Sequence, residues 1–117
     1  MVKAMHEAAV MNRIVSIVQR RARANGARKI NKLVIQIGEL SDVIPDALRM
    51  CYGMCTEGTM LAGAALEIET IQARGVCGQC SSEYDLLKSE FKCPECGGEK
   101  WTILTGKELL VKEIEVI

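Results

Sequence analysis

The sequence predicts an α+β fold: two helices on a three-stranded sheet, with one four-cysteine module inserted before the last strand. Three observations predict it. Apolar residues recur at helical spacing in two segments and alternate in three others, and two CxxC pairs fall close together in the C-terminal third. The aromatic residues follow the same division. Tyr84, Phe91 and Trp101 lie in that third, and Tyr52 stands alone before it.

The first helix is read from Glu7 to Ala24, where Val10, Ile14, Ile17 and Val18 share helical spacing and Asn12, Arg13, Gln19, Arg20 and Arg23 lie elsewhere on the wheel. Arg20, Arg21 and Arg23 suit its negative end, and Asn25-Gly26 offers a left-handed stop. Lys29 to Ile37 alternates as a strand, with Leu33, Ile35 and Ile37 on one face, and Gly38 breaks it. Pro45 then suits a first helical turn, where its missing N–H is no loss, and Asp46 suits the positive helix end. This second helix runs to about Thr56, with Leu48, Cys51, Tyr52 and Cys55 on one side. Leu66 to Ile71 alternates as a half-buried strand, and Leu109 to Ile117 reads as the last. Composition and glycines set the boundaries: residues 1–75 with 105–117 form the body, and 76–104 form the insertion.

Composition excludes several classes. At 117 residues and 12.8 kDa the chain is one domain, or one with a small appendage, and 49% apolar with 26% charged residues matches a folded protein. No apolar run approaches the roughly 18 to 20 residues of a membrane span, and no signal-peptide core is seen, so the expectation is a cytoplasmic chain that does not engage a membrane. Fifteen basic residues balance fifteen acidic ones, which argues against a nucleic-acid partner. Six cysteines without an export signal point to thiols held for a metal.

Cys77-Gly78-Gln79-Cys80 and Cys93-Pro94-Glu95-Cys96 are separated by twelve residues. Two intervening residues let one tight turn present both sulfurs to one ion, and two such turns complete a tetrahedron with Zn–S distances of about 2.3 Å. The inserted module therefore reads as a zinc ribbon, eased by Gly78 and Gly97, with iron in a rubredoxin-like pair of knuckles as the alternative that colour would separate. Four thiolates leave no open coordination position, so the zinc is structural and stands in for a core that about 28 residues could not build. Backbone N–H groups, Lys92 or Lys100 would offset the negative charge. Cys51 and Cys55, one helical turn apart, read as small buried apolar residues.

His6 is the only histidine. Taken together, Met5-His6-Glu7 opening a helix, the passage Ile37-Gly38-Glu39-Leu40-Ser41-Asp42-Val43-Ile44-Pro45-Asp46-Ala47-Leu48, and the late CxxC pair resemble the HypA/HybF family of hydrogenase nickel-insertion proteins. The resemblance covers nearly the whole chain from Met5. It implies a nickel metallochaperone, not an enzyme, that delivers Ni(II) as cargo to the [NiFe]-hydrogenase large subunit with the GTPase HypB, and in some organisms serves urease and its accessory proteins. It places nickel on Met5, His6 and Glu7, within a nickel-binding domain of residues 1–75 and 105–117. It places zinc on Cys77, Cys80, Cys93 and Cys96, within a ribbon domain of residues 76–104. In the family this Met is normally the first residue, whereas here Met1-Val2-Lys3-Ala4 precede it. An amine, a deprotonated backbone amide and an imidazole on adjacent residues form fused chelate rings, the nitrogen-rich planar field that suits Ni(II), and first-turn amides lack helical acceptors.

The alternative is a zinc-ribbon adaptor that binds nucleic acid or protein and handles no nickel. Arg20, Arg21, Arg23, Arg28 and Lys29 favour it, but Glu83, Asp85, Glu90, Glu95 and Glu99 outnumber the lysines around the cysteines and would repel phosphate.

Overall fold

The computed structural model describes the backbone of residues 2–117 and side chains from residue 6 onward. Its elements are α1 (Val2–Ala24), β1 (Ile30–Gly38), α2 (Pro45–Thr56), β2 (Ala65–Ile71), β3 (Arg74–Cys77), β4 (Glu83–Asp85), β5 (Trp101–Thr105) and β6 (Leu109–Val116). They form two three-stranded sheets, of order β2-β1-β6 and β4-β3-β5. The α+β reading with its inserted cysteine module holds, and the module brings a small sheet of its own. Among the described residues, no helix is long and apolar enough to cross a membrane.

Two compact units are present. One comprises Met1–Gln36, Asp42–Glu69 and Leu110–Ile117, and the other Ile37–Ser41 and Thr70–Leu109. The second is wider than the ribbon read from the sequence and takes in the passage that follows β1.

In the first unit, the buried stripe of α1 is Glu7, Met11, Val15, Val18 and Ala22, at the four- and three-residue steps of one helical face. Of the expected face of Val10, Ile14, Ile17 and Val18, only Val18 belongs to this stripe. Ile17 is in fact 46% exposed. The apolar count favoured the larger Ile side chains, whereas the true stripe mixes a Met, an Ala and an acid. The helix also starts at Val2 rather than at Glu7. The His6 and Glu7 amides therefore fall inside its hydrogen-bond ladder and are not the free first-turn amides expected.

β1 is central, with Leu33, Ile35 and Ile37 buried as its alternation predicts, and Val34 buried on the other face. α2 spans the predicted residues with Pro45 at its start, Leu48 and Cys51 buried, and Tyr52 and Cys55 half-buried. Its side runs against α1: Cys55 Sγ lies 3.8 Å from the Ala8 carbonyl. The Met60 N–H also donates to Gln19 Oε1 at 2.9 Å.

In the second unit, Gly38 is the tightest point. Its N–H donates to the Glu108 carbonyl and the Leu40 N–H to the Gly106 carbonyl, so a Cβ at Gly38 would collide with the Gly106 backbone. Ala73, Cys77, Tyr84, Leu86 and Cys93 make the buried cluster, flanked by Leu40, Phe91 and Ile103. Two of its five members are metal-ligand candidates, so this core is small without them.

Candidate metal centres

β3 ends at Cys77, and antiparallel pairing holds it on both sides: Val76 opposite Glu83 in β4, and Cys77 opposite Trp101 in β5. The chain turns after Cys77, and the Cys77 N–H bonds the Ser82 carbonyl at 2.9 Å. The Gln79 and Cys80 N–H groups point back at Cys77 Sγ, at 3.3 and 3.4 Å. The second turn closes similarly, with the Gly97 N–H on the Cys93 carbonyl at 2.8 Å and the Cys93 N–H on the Gly98 carbonyl at 2.9 Å.

The residue after each second cysteine is left-handed: Gly97 at φ 73°, but Ser81 at φ 66°. Gly97 thus acts as expected. Gly78 does not, since its φ is not positive and a Cβ there would merely crowd Lys100. The first turn carries its strain on a serine.

The four sulfurs all lie within 4.8 Å of one another. Cys77 meets Cys96 at 3.5 Å, and Cys80 meets Cys93 at 3.5 Å. Those separations approach the edge of about 3.8 Å for a tetrahedron with Zn–S bonds of about 2.3 Å. Cys77 and Cys93 are buried, whereas Cys80 and Cys96 face solvent.

The thiols do not ionise alike. Hydrogen bonding to the Ser82 side chain, then to its backbone and to Cys93, brings Cys80 down to about 6. The N–H groups of Cys80 and Gln79 lower Cys77. The Gly98 backbone draws Cys96 down, but hydrogen bonding with Cys77, burial, and contact with Cys80 and Cys93 outweigh it, and the thiol is pushed up to about 12. Four like-charged ligands in one shell require a cation before all can shed their protons. A closed set of four sulfurs fits zinc. Ser82 and Gln79, whose Oε1 lies 3.8 Å from Cys96 Sγ, were not identified from the sequence. Polar residues beside CxxC turns were the only available signal. Of the expected cations, Lys92 faces Glu99 at 3.9 Å.

The N-terminal candidates are arranged differently. The Met5 side chain lies outside the described residues. His6 is exposed, and Glu7, the next residue on the helix, is fully buried. Glu7 Oε2 accepts the N–H of Ile44 at 2.9 Å. Ile44 is the N-cap of α2 and has no side-chain cap of its own, so an acid from α1 takes that place and also suits the positive end of α2. Glu7 Oε1 is buried with no hydrogen-bond partner among the described residues. Burial first, then Cys55 and finally Glu7, hold the Cys51 thiol above its ordinary range. The anchoring role of Glu7 was legible only as a gap: no Ser, Thr, Asp or Asn precedes Pro45 at the cap.

The comparisons with known proteins accord with this architecture. Hydrogenase maturation factor HypA of Geotalea uraniireducens is 42% identical over 112 residues, covering 96% of this chain and 99% of that protein. The HypA of Nostoc punctiforme is 44% identical over 112 residues, covering 96% of each. The solution structure of the Ni metallochaperone HypA from Helicobacter pylori superposes with a TM-score of 0.66 at 22% identity, covering 95% of this chain and 97% of that one, and so shares the fold. Residues 5–116 match the family described as "Hydrogenase/urease nickel incorporation, metallochaperone, hypA", and with whole-length relatives at about two-fifths identity the chain belongs to the HypA family.

Proposed function

We propose that this chain is a nickel metallochaperone for [NiFe]-hydrogenase maturation. It holds Ni(II) near the start of α1 through Met5, His6 and Glu7 and passes it to the hydrogenase large subunit in concert with the GTPase HypB. The observation that carries this reading is the family match, which begins at Met5 and runs through residue 116. The family description also names urease, which supports the same service to urease with its accessory proteins. Residues 1–75 with 105–117 are the nickel-binding domain, and 76–104 the zinc-binding ribbon.

The chemistry follows from the donors. The exposed His6 imidazole is a borderline nitrogen ligand that suits Ni(II), and Glu7 Oε1, which has no hydrogen-bond partner among the described residues, is the part of that carboxylate left to a metal. Amide coordination at Met5 or His6 requires the first turn of α1 to unwind. That turn has no acidic residue and carries Lys3, the charge pattern least favourable to a helix N-terminus, so unwinding costs little. Nickel is cargo, and weak coordination with its imidazole donor exposed suits its release.

The four cysteines hold zinc in a structural role. A filled sulfur tetrahedron leaves no position for water or substrate, consistent with a chaperone rather than an enzyme. The chain works in the cytoplasm, where its proposed partners reside.

Nickel titration of zinc-loaded protein, with and without residues 1–4, tests the reading. One nickel should bind per chain, and His6→Ala should abolish it while leaving the zinc content unchanged. Unchanged nickel affinity in that variant refutes the assignment.

A further inference from the structure

α2 carries Met50-Cys51-Tyr52-Gly53-Met54-Cys55, in which two kinds of sulfur side chain each repeat at a spacing of four. At 3.6 residues per turn this puts four sulfur side chains on about 140° of the helix. The arc runs from Met50 and Met54, 85% and 75% exposed, to buried Cys51 and half-buried Cys55. Core packing accounts for Cys51 but not for two large thioethers facing water. The two thiols stand one helical turn apart, and Cys51 Sγ donates to the Leu48 carbonyl at 3.4 Å. Cys55 Sγ lies 3.8 Å from the Ala8 carbonyl of α1, next in sequence to Glu7, whose buried Oε1 has no hydrogen-bond partner among the described residues.

We propose that Cys51 and Cys55 form a second metal site, separate from the four-cysteine centre, that takes a soft monovalent cation such as Cu(I) or Ag(I), with the thioethers of Met50 and Met54 as supplementary donors. The donor type selects the ion. Zinc takes thiolate, imidazole or carboxylate ligands, and among the described residues only Cys77, Cys80, Cys93 and Cys96 bring three or more such groups together. A pair of thiols flanked by thioethers instead suits a soft ion of low coordination number. Cys55 and the methionines give such an ion a path from solvent. Binding is a substitution without electron transfer: two S–H bonds break, two Cu–S bonds form, and two protons leave to solvent. The proposal does not depend on the nickel reading.

The test uses the zinc-loaded full chain under anaerobic conditions, with Cu(I) supplied from a coloured chelate whose bleaching reports transfer, and zinc release followed in parallel. One equivalent of Cu(I) should be withdrawn with no zinc released. Cys55→Ser, at a half-buried position that spares the core, should weaken uptake by more than the about 10- to 100-fold typical of outer-sphere changes. Met50→Leu with Met54→Leu should weaken it less. Circular dichroism checks the fold of each variant. The proposal is overturned if the wild-type chain withdraws no copper, if uptake expels zinc in proportion, or if folded Cys55→Ser binds as tightly as the parent. A pair of leucines that leaves affinity untouched removes the thioethers from the site.

Discussion

Truncating Glu7 to alanine separates its anchoring role from any nickel role, because the anchor exists without nickel. The variant loses a hydrogen bond from the Ile44 N–H to a charged acceptor, worth about 1.5–3 kcal/mol. It also removes one of two acids at the start of α2, the other being Asp46 in its first turn, about 0.3–1 kcal/mol more. Against this, the buried Oε1, without a partner among the described residues, disappears, relieving about 1–3 kcal/mol. The void left by the side chain adds a further loss. We expect the losses to win by about 2 kcal/mol, a fall in Tm of about 6–10 °C for a chain of this size. Glu7→Gln keeps an oxygen acceptor and should fall between the two. Urea unfolding of zinc-loaded, nickel-free protein followed by far-UV circular dichroism reads this directly, since both helices belong to the first unit. A Glu7→Ala protein as stable as its parent would show that the carboxylate does not hold α2.

Two further outcomes are expected. Zinc removal should unfold the second unit, whose buried cluster retains only Ala73, Tyr84 and Leu86 besides two of the ligands. Trp101, ringed at 5.1 Å by Phe91 and the only tryptophan, should red-shift on chelation, and an unshifted emission would refute the structural role of the metal. Ser81→Gly should raise zinc-loaded stability by about 0.5–1 kcal/mol by relieving a left-handed serine, whereas Gly97→Ala should lower it by about 1 kcal/mol. Thermal melts that show both changes with the same sign would contradict the backbone argument.

Much of the fold was legible because it rests on local rules. Pro45 marked the start of α2, the period of two marked β1 and β2, and the CxxC spacing marked the sulfur cluster. The buried face of α1 lies about 75° around the helix from the one its largest apolar side chains mark, because the stripe that packs includes an acid and a small residue that hydrophobicity does not flag. The serine in the first cysteine turn was missed for a similar reason: glycine is the usual mark of a left-handed residue, and Gly78 stood nearby as a decoy.

By itself, then, the sequence determined which residues form helices, strands and metal turns, since each depends on neighbours within a few positions along the chain. Only the tertiary structure decided what Glu7 does, because its partner lies 37 residues away at the cap of another helix. It likewise drew Ile37–Ser41 into the second unit, through backbone bonds to residues 71, 106 and 108 that leave no trace in local composition. Burial and hydrogen bonding between distant segments are set by where the chain returns, and periodicity carries no record of that.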